Sequence, residues 1–324
     1  MVTSPFFRRV IITFFVTLSL FIGLKVLIPL HKITYESAWM DSPTTHDMAL
    51  DHPEWLVSNR WKSPTEAQLQ APVVIVVHGY SSSTFEWWEF RDYADSRGIA
   101  TSLVLLGGHG RNLDAFRAST AEDWGAPIIT EYERLRALGY RDINIAASST
   151  GATLVLHHLA QGSFKAAEQH LRHIYFVDPF VIPGNKMLRM VDIIGPILGS
   201  LPPHPDRSQL YRAHWYNNDP YEALSQLNAL TITVREELNH GIQLPKNVQL
   251  TVFKATGDSV APFENGKLIT SRVTDSAGRP AIEVVVSTNY HVFTQLAARN
   301  KPVSQYDRDL QRRTFDRIIT EIKN

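Results

Sequence analysis

The sequence predicts an α/β fold built on a mostly parallel sheet with helices on both faces. Three observations predict it. Six short runs, at 72–78, 101–106, 142–148, 173–180, 248–257 and 281–287, are apolar and rich in β-branched residues. They are continuous rather than alternating, as strands buried on both faces must be. Helix-like segments lie between most of them, the alternation that carries a chain from one parallel strand to the next.

Composition narrows the class further. Hydrophobic residues make up 44% of the 324, enough for a large core. Lys+Arg and Asp+Glu number 32 each, so no net field favours nucleic acid or another polyanion. Cysteine is absent, which removes disulfides, thiolate nucleophiles and Cys-ligated metals.

Residues 10–30, VIITFFVTLSLFIGLKVLIPL, are apolar apart from small hydroxyls, Gly23 and Lys25. The stretch is long enough to cross a bilayer core as a helix. Arg8 and Arg9 precede it, and Lys25 lies where its stem reaches the interface. No A-x-A-like cleavage site follows, so residues 1–32 are expected to be an uncleaved anchor, with a cleaved signal and secretion as the alternative. The charge bias puts the N-terminus in the cytoplasm and the body on the outer side. Residues 33–70, punctuated by Pro43, Pro53 and Pro64, read as a tether with irregular structure.

The core is expected at 71–180 and 248–324. Its helices include one opened by Ser119 and Glu122 at capping-box spacing and closed near Gly139. Another follows the third strand as TGATLVLHHLAQG, and an amphipathic one ends the chain. The interval 181–247 breaks the alternation. It carries MLRMVDIIGPILG, apolar and interrupted by Gly195 and Pro196, and reads as a helical lid or cap.

The stretch NIAASSTGATL, 144–154, raises a chemical question: why so many small residues at a strand-to-helix junction? A serine on a tight strand-helix turn takes strained angles that expose its oxygen, and the residues two before and two after it must be small. Around Ser149 these are Ala147 and Gly151; around Ser148 one is the branched Thr150. Ser149 is therefore the nucleophile candidate. A serine needs a base, and the base an orienting carboxylate. Asp258 stands just after the fifth run and His291 just after the sixth, in the order such a turn requires. Asp178, at the end of the fourth run, is the rival acid. Oxyanion donors are expected from the backbone N–H groups of Thr150 and of Tyr80, in the loop opened by His78-Gly79. Trp87 and Trp88 are expected to wall an apolar acyl pocket together with Met187, Leu188, Met190, Val191, Ile193, Ile194, Ile197 and Leu198 of the insertion. His157 and His158 are adjacent on a helix and point apart, so no metal site and no cofactor is expected.

The segments VVHGYSSST, LVLLGGHGRNLDAF, STAEDW, AASSTGA, TGDSVAP and NYHVF resemble the successive landmarks of the α/β-hydrolase superfamily, most of all its carboxylesterase and monoacylglycerol-lipase-like branch. The resemblance covers about 72–295 and departs at Ala147. It implies a serine hydrolase with the triad Ser149, Asp258 and His291, acting on small-molecule or lipid esters; the membrane span at 10–30 is a second departure from the family. Thioesterase, acyltransferase or peptidase chemistry could use the same triad. A non-catalytic binding module on this fold is the alternative of another class. Acyl length, headgroup and oligomeric state are not encoded in any pattern found.

Overall fold

The structure, a computed structural model, describes residues 64–324 apart from 111–112, 165–169, 202–207, 217, 298 and 301; before residue 64 only Thr13 is described. The expected anchor at 10–30 lies outside the described residues but for Thr13, and so does most of the expected tether. Among the described residues no helix is long and apolar enough to cross a membrane.

All six apolar runs are strands: β1 (Val73–Val77), β2 (Ala100–Val104), β3 (Ile143–Ser148), β4 (Leu171–Val177), β5 (Gln249–Ala255) and β6 (Ile282–Val286). They form one sheet in the order β6-β5-β4-β3-β1-β2, and every neighbouring pair is parallel. Alternate residues serve opposite cores. Val73, Ile75 and Val77 join one buried cluster; Val74 and Val76 join the other. Burial on both sides explains why the inner strands read as unbroken apolar runs; β6, at the sheet edge, departs from that expectation, with Ile282 and Val285 exposed.

Ten α-helices are described. α1 (Glu66–Gln70) is a short turn capped by Thr65, whose hydroxyl accepts from Gln68 N at 3.3 Å. α2 (Trp88–Asp95) and α10 (Gln305–Lys323) cover one face of the sheet with Phe90, Leu310, Phe315 and Ile318. α3 (Leu113–Ala118), α4 (Ala121–Leu138), α5 (Ser149–Ala160) and α9 (Glu264–Arg272) pack on the other face. α4 is capped one residue later than its sequence suggests: Thr120 Oγ1 accepts from Asp123 N at 3.1 Å, and Asp123 Oδ2 accepts from Thr120 N at 2.8 Å. Ser119 is engaged elsewhere, accepting from Trp124 Nε1 at 2.7 Å. Gly139 closes α4 at φ 98°, the left-handed cap that glycine allows.

The interval expected as a lid divides in two. α8 (Tyr221–His240) sends Ala223, Leu227, Leu230, Val234 and Leu238 into the same buried cluster as β3 and α5, so it is a core helix on the crossover from β4 to β5. The part standing off the sheet carries α6 (Val191–Leu198) and α7 (Gln209–His214), whose described residues join neither buried cluster of the sheet. Gly195 does not break α6. A Cβ there would come within 2.8 Å of Tyr221 Cβ, so the glycine lets α6 cross the start of α8.

The core role of α8 has a measurable consequence. Leu238→Ala, at a fully buried position, should cost about 2–5 kcal/mol in denaturant unfolding. Ile232→Ala, at a position 42% exposed on the same helix, should stay within about 0.5 kcal/mol of the parent.

Candidate active site

Ser149 follows β3 directly and opens α5 with φ at 46°, a strained value for a residue with a side chain. The glycine two residues on explains how the turn closes. A Cβ on Gly151 would sit 2.4 Å from the carbonyl oxygen of His78 and 2.8 Å from that of Val77. The crowding partner is thus the end of β1 rather than Ala147. On the opposite side a Cβ on Gly79 would lie 3.0 Å from Ser149 Cβ, so the loop after β1 presses against the serine.

Ser149, His291 and Asp258 meet in one hydrogen-bonded line. Ser149 Oγ lies 2.9 Å from His291 Nε2, and His291 Nδ1 lies 2.8 Å from Asp258 Oδ2. A carboxylate accepts, so Nδ1 carries the proton and Nε2 is left to accept from the serine hydroxyl. Asp258 Oδ1 accepts from Val260 N at 2.8 Å and Ala261 N at 3.0 Å. Burial pushes the Asp258 carboxyl up, but the hydrogen bond and charge of His291 and the ammonium of Lys254 outweigh it, holding the group at about 2.

Asp178, the rival acid, does not contact the imidazole. Its Oδ1 accepts from Lys254 Nζ at 2.6 Å and Ala255 N at 2.9 Å; its Oδ2 accepts from Val292 N at 3.2 Å. Burial raises the Asp178 carboxyl, against the pull of Lys254. All three of these contacts are donors, which leaves no acceptor for a carboxyl proton and marks the group as ionised. Lys254 also donates to Asp258 Oδ2 at 2.7 Å. The cation between the two carboxylates is therefore a lysine side chain with no exposure to solvent.

The loop after β1 is held by buried polar groups. His78 Nε2 accepts from Leu106 N at 3.1 Å, which puts its proton on Nδ1, directed at Gly79 O at 2.8 Å. Burial lowers His78 well below the usual imidazole range, keeping it neutral. Glu86 Oε1 accepts from Gly79 N at 3.0 Å and from the Ser148 hydroxyl. Ser148 in turn accepts from Trp87 Nε1 at 2.9 Å. Ser148 is thus a buried strut between two side chains, and only Ser149 faces the histidine. Burial raises the Glu86 carboxyl.

A cavity of about 280 Å³ opens at Ser149 and His291. Tyr80 and Thr150 line it, as their expected position beside the serine requires. Thr150 stands in the first turn of α5, where backbone N–H groups have no partner within the helix. The apolar wall comes from Phe180, Tyr211, Trp215, Leu227, Val260 and Val292. Trp87 and Trp88 do not line it. Trp87 is buried and also bonds to Val77 O at 3.0 Å, while Trp88 packs on Phe85 and His214. Met187, Met190 and Ile193 are solvent-exposed rather than walls of the cavity.

Sequence reasoning missed Glu86, Lys254, Arg299 and the part played by Asp178. Two of these left a trace. Lys254 stands inside an apolar strand, and Glu86 stands among aromatics in STFEWW. Charged residues in such surroundings are seldom buried without partners. Arg299 left none: its NH2 group donates to His291 O and Val292 O, both at 2.7 Å, a clamp that only the folded loop defines.

No protein-family profile and no curated protein matches the chain. Solved structures do. A metagenome-derived lipolytic enzyme of the LipS and LipT study superposes with a TM-score of 0.62 at 19% identity, covering 78% of this chain and 94% of that one. A soluble variant of monoglyceride lipase from Saccharomyces cerevisiae gives 0.60 at 11% identity, over 83% and 89%. Paleococcus ferrophilus monoacylglycerol lipase gives 0.55 at 12% identity, over 78% and 96%. At such identities the likeness is one of fold, and the fold is that of the α/β-hydrolases.

The low value of Asp258 sets a pH window. Its folded value lies below the ordinary 3.8, so its contribution to stability is present above about pH 4 and is lost as pH falls through about 2. Unfolding free energy measured between pH 5 and 2 should fall across this window. Asp258→Asn should flatten that part of the curve; a parent curve without the slope contradicts the assignment.

Proposed function

We propose that this chain is a serine hydrolase acting on carboxylic esters. The hydrogen-bonded line from Ser149 Oγ through His291 to Asp258 carries the reading. In the proposed reaction Ser149 Oγ attacks the ester carbonyl carbon while its proton passes to His291 Nε2. The carbonyl π electrons move to oxygen, and the backbone N–H groups of Tyr80 and Thr150 receive the oxyanion. As the carbonyl re-forms, the C–O bond to the alcohol breaks and His291 returns the proton to the leaving oxygen. Water then repeats the sequence on the acyl-enzyme, releasing the acid and restoring Ser149. Asp258 holds the Nδ1–H tautomer and offsets the imidazolium charge in both halves. The intact line opposes a non-catalytic binding role.

The apolar wall favours an acyl chain longer than acetyl. Each buried methylene is worth about 0.8 kcal/mol, or roughly four-fold in kcat/KM, until the cavity ends. A p-nitrophenyl ester series should therefore rise from acetate to medium chains. A fluorophosphonate probe should label Ser149 and no other serine. Ser149→Ala should lower turnover by about a million-fold, and Asp258→Asn by about ten-thousand-fold. A label on Ser148, or an acetate optimum, contradicts this reading.

We also propose that residues 10–30 hold the enzyme at a bilayer with its catalytic part on the outer side. The apolar run behind Arg8 and Arg9 supports it. The full chain should resist carbonate extraction from membranes, and protease added to spheroplasts should digest it. A mature N-terminus beyond residue 30 converts the anchor to a signal, and a protected body reverses the orientation.

A further inference from the structure

The ammonium of Lys254 is a buried cation at the centre that the proposed reaction does not use. Its stem packs beside α9, where a Cβ on Gly266 would come within 3.1 Å of Lys254 Cβ. Its Nζ joins Asp178 Oδ1 at 2.6 Å to Asp258 Oδ2 at 2.7 Å. Asp258 Oδ2 is also the oxygen that takes the Nδ1–H of His291, so a single atom separates the ammonium from the imidazole's proton.

The need for this charge follows from Asp178. That carboxylate fixes the peptide after the histidine through Val292 N, which puts a second anion close to the triad acid. A carboxylate oxygen of Asp178, one of Asp258 and a ring nitrogen of His291 all lie within 4.8 Å of one another. Two uncompensated carboxylates there favour the imidazolium, and an imidazolium cannot accept the serine proton. With Lys254 the three charges sum to one negative charge, that of a single triad carboxylate.

We propose that Lys254 is a positioning residue that cancels the charge of Asp178, so that His291 faces one net negative charge rather than two. The inference rests on the serine-hydrolase reading above. Other charged groups facing His291 are Glu86, whose carboxylate is coupled to it electrostatically, and Arg299, which donates to its carbonyl oxygen. Neither changes in the test.

The test compares Lys254→Met, Asp178→Asn and the double variant in the full chain. Two readouts are taken: the pH dependence of kcat/KM on a p-nitrophenyl ester, and the NMR titration of the His291 imidazole in histidine-labelled protein. Lys254→Met should move the acid limb and the imidazole midpoint to higher pH by about one to two units, a loss of roughly ten- to hundred-fold in kcat/KM on that limb. Asp178→Asn leaves the ammonium unbalanced and should move both to lower pH. The double variant should return to within a few tenths of a unit of the parent. A structural role alone lowers the melting temperature without opposite shifts. Unmoved limbs, single variants shifting in the same direction, or a double variant still displaced overturn the proposal. If Lys254→Met does not fold, Asp178→Asn and the double variant decide it. If the parent neither hydrolyses esters nor takes the probe at Ser149, the hydrolase reading fails, and the imidazole midpoints still decide the charge balance.

Discussion

Close approach of the α5 N-terminus to the end of β1 is the constraint on which the site depends. Ser149 reaches His291 because α5 starts immediately after β3, without a loop, and that start demands a side-chain-free residue at 151. The first turn of α5 then lies against the carbonyl oxygens of Val77 and His78. The same approach brings Gly79 against Ser149, which is why the loop after β1 and the turn at Ser149 share one cavity. Sheet register carries this further. β1 pairs with β3 at Val77↔Ala147, so the two strands end side by side and deliver both turns to one place.

Strain is concentrated around that place. Among the described residues, five non-glycine residues have positive φ, and four of them, Ser81, Ser149, Asp178 and Val292, surround the site. Such conformations cost about 1–3 kcal/mol each and persist only when neighbours over-determine them. Each of the four is held from another element. Ser81 O accepts from Tyr216 N at 2.9 Å, and Ser149 O accepts from Phe180 N at 3.2 Å. Asp178 N donates to Phe253 O at 2.9 Å, and Val292 N donates to Asp178 Oδ2. Val292 is the most demanding, being β-branched. Arg299 grips the carbonyl oxygens before and after its peptide, while Thr294 and Gln295 tie the following turn to Glu86 O and Phe85 O. The histidine loop is thus stitched to the turn that follows the loop after β1.

What could be read from the sequence follows from how local each signal is. The inner strands were legible because burial on both faces leaves an unbroken β-branched run, and the edge strand β6 because it keeps such a run although it is largely exposed. Ser149, Asp258 and His291 were legible from chain order and strand-end position, which the topology converts into contact. The capping of α4 was misplaced by one residue because Ser119 and Thr120 are equally good caps locally, and the ring N–H of Trp124, in the same helix, claims the first. The pocket wall was misassigned for a related reason. Trp87 and Trp88 are close to the loop in sequence, but the helical turn that carries them rotates Trp87 under the sheet end, where its ring N–H serves Ser148. Lys254 pairs with Asp178 and Glu86 with Ser148, each across a long stretch of chain, and periodicity cannot report such pairings.

The division of the insertion bears on how the cavity can change. Leu227 comes from α8 and belongs to the main core cluster, so any substitution there disturbs the packing of the sheet as well as the pocket. Tyr211 and Trp215 come from the part that stands off the sheet. Their rings stack at 4.2 Å, and Trp215 belongs with Phe85 to a small cluster separate from both cores. Changes there alter the wall with little claim on the rest of the fold. The geometry therefore splits the pocket into a floor coupled to stability and a side open to variation, with Ser149 on the rigid side of the boundary.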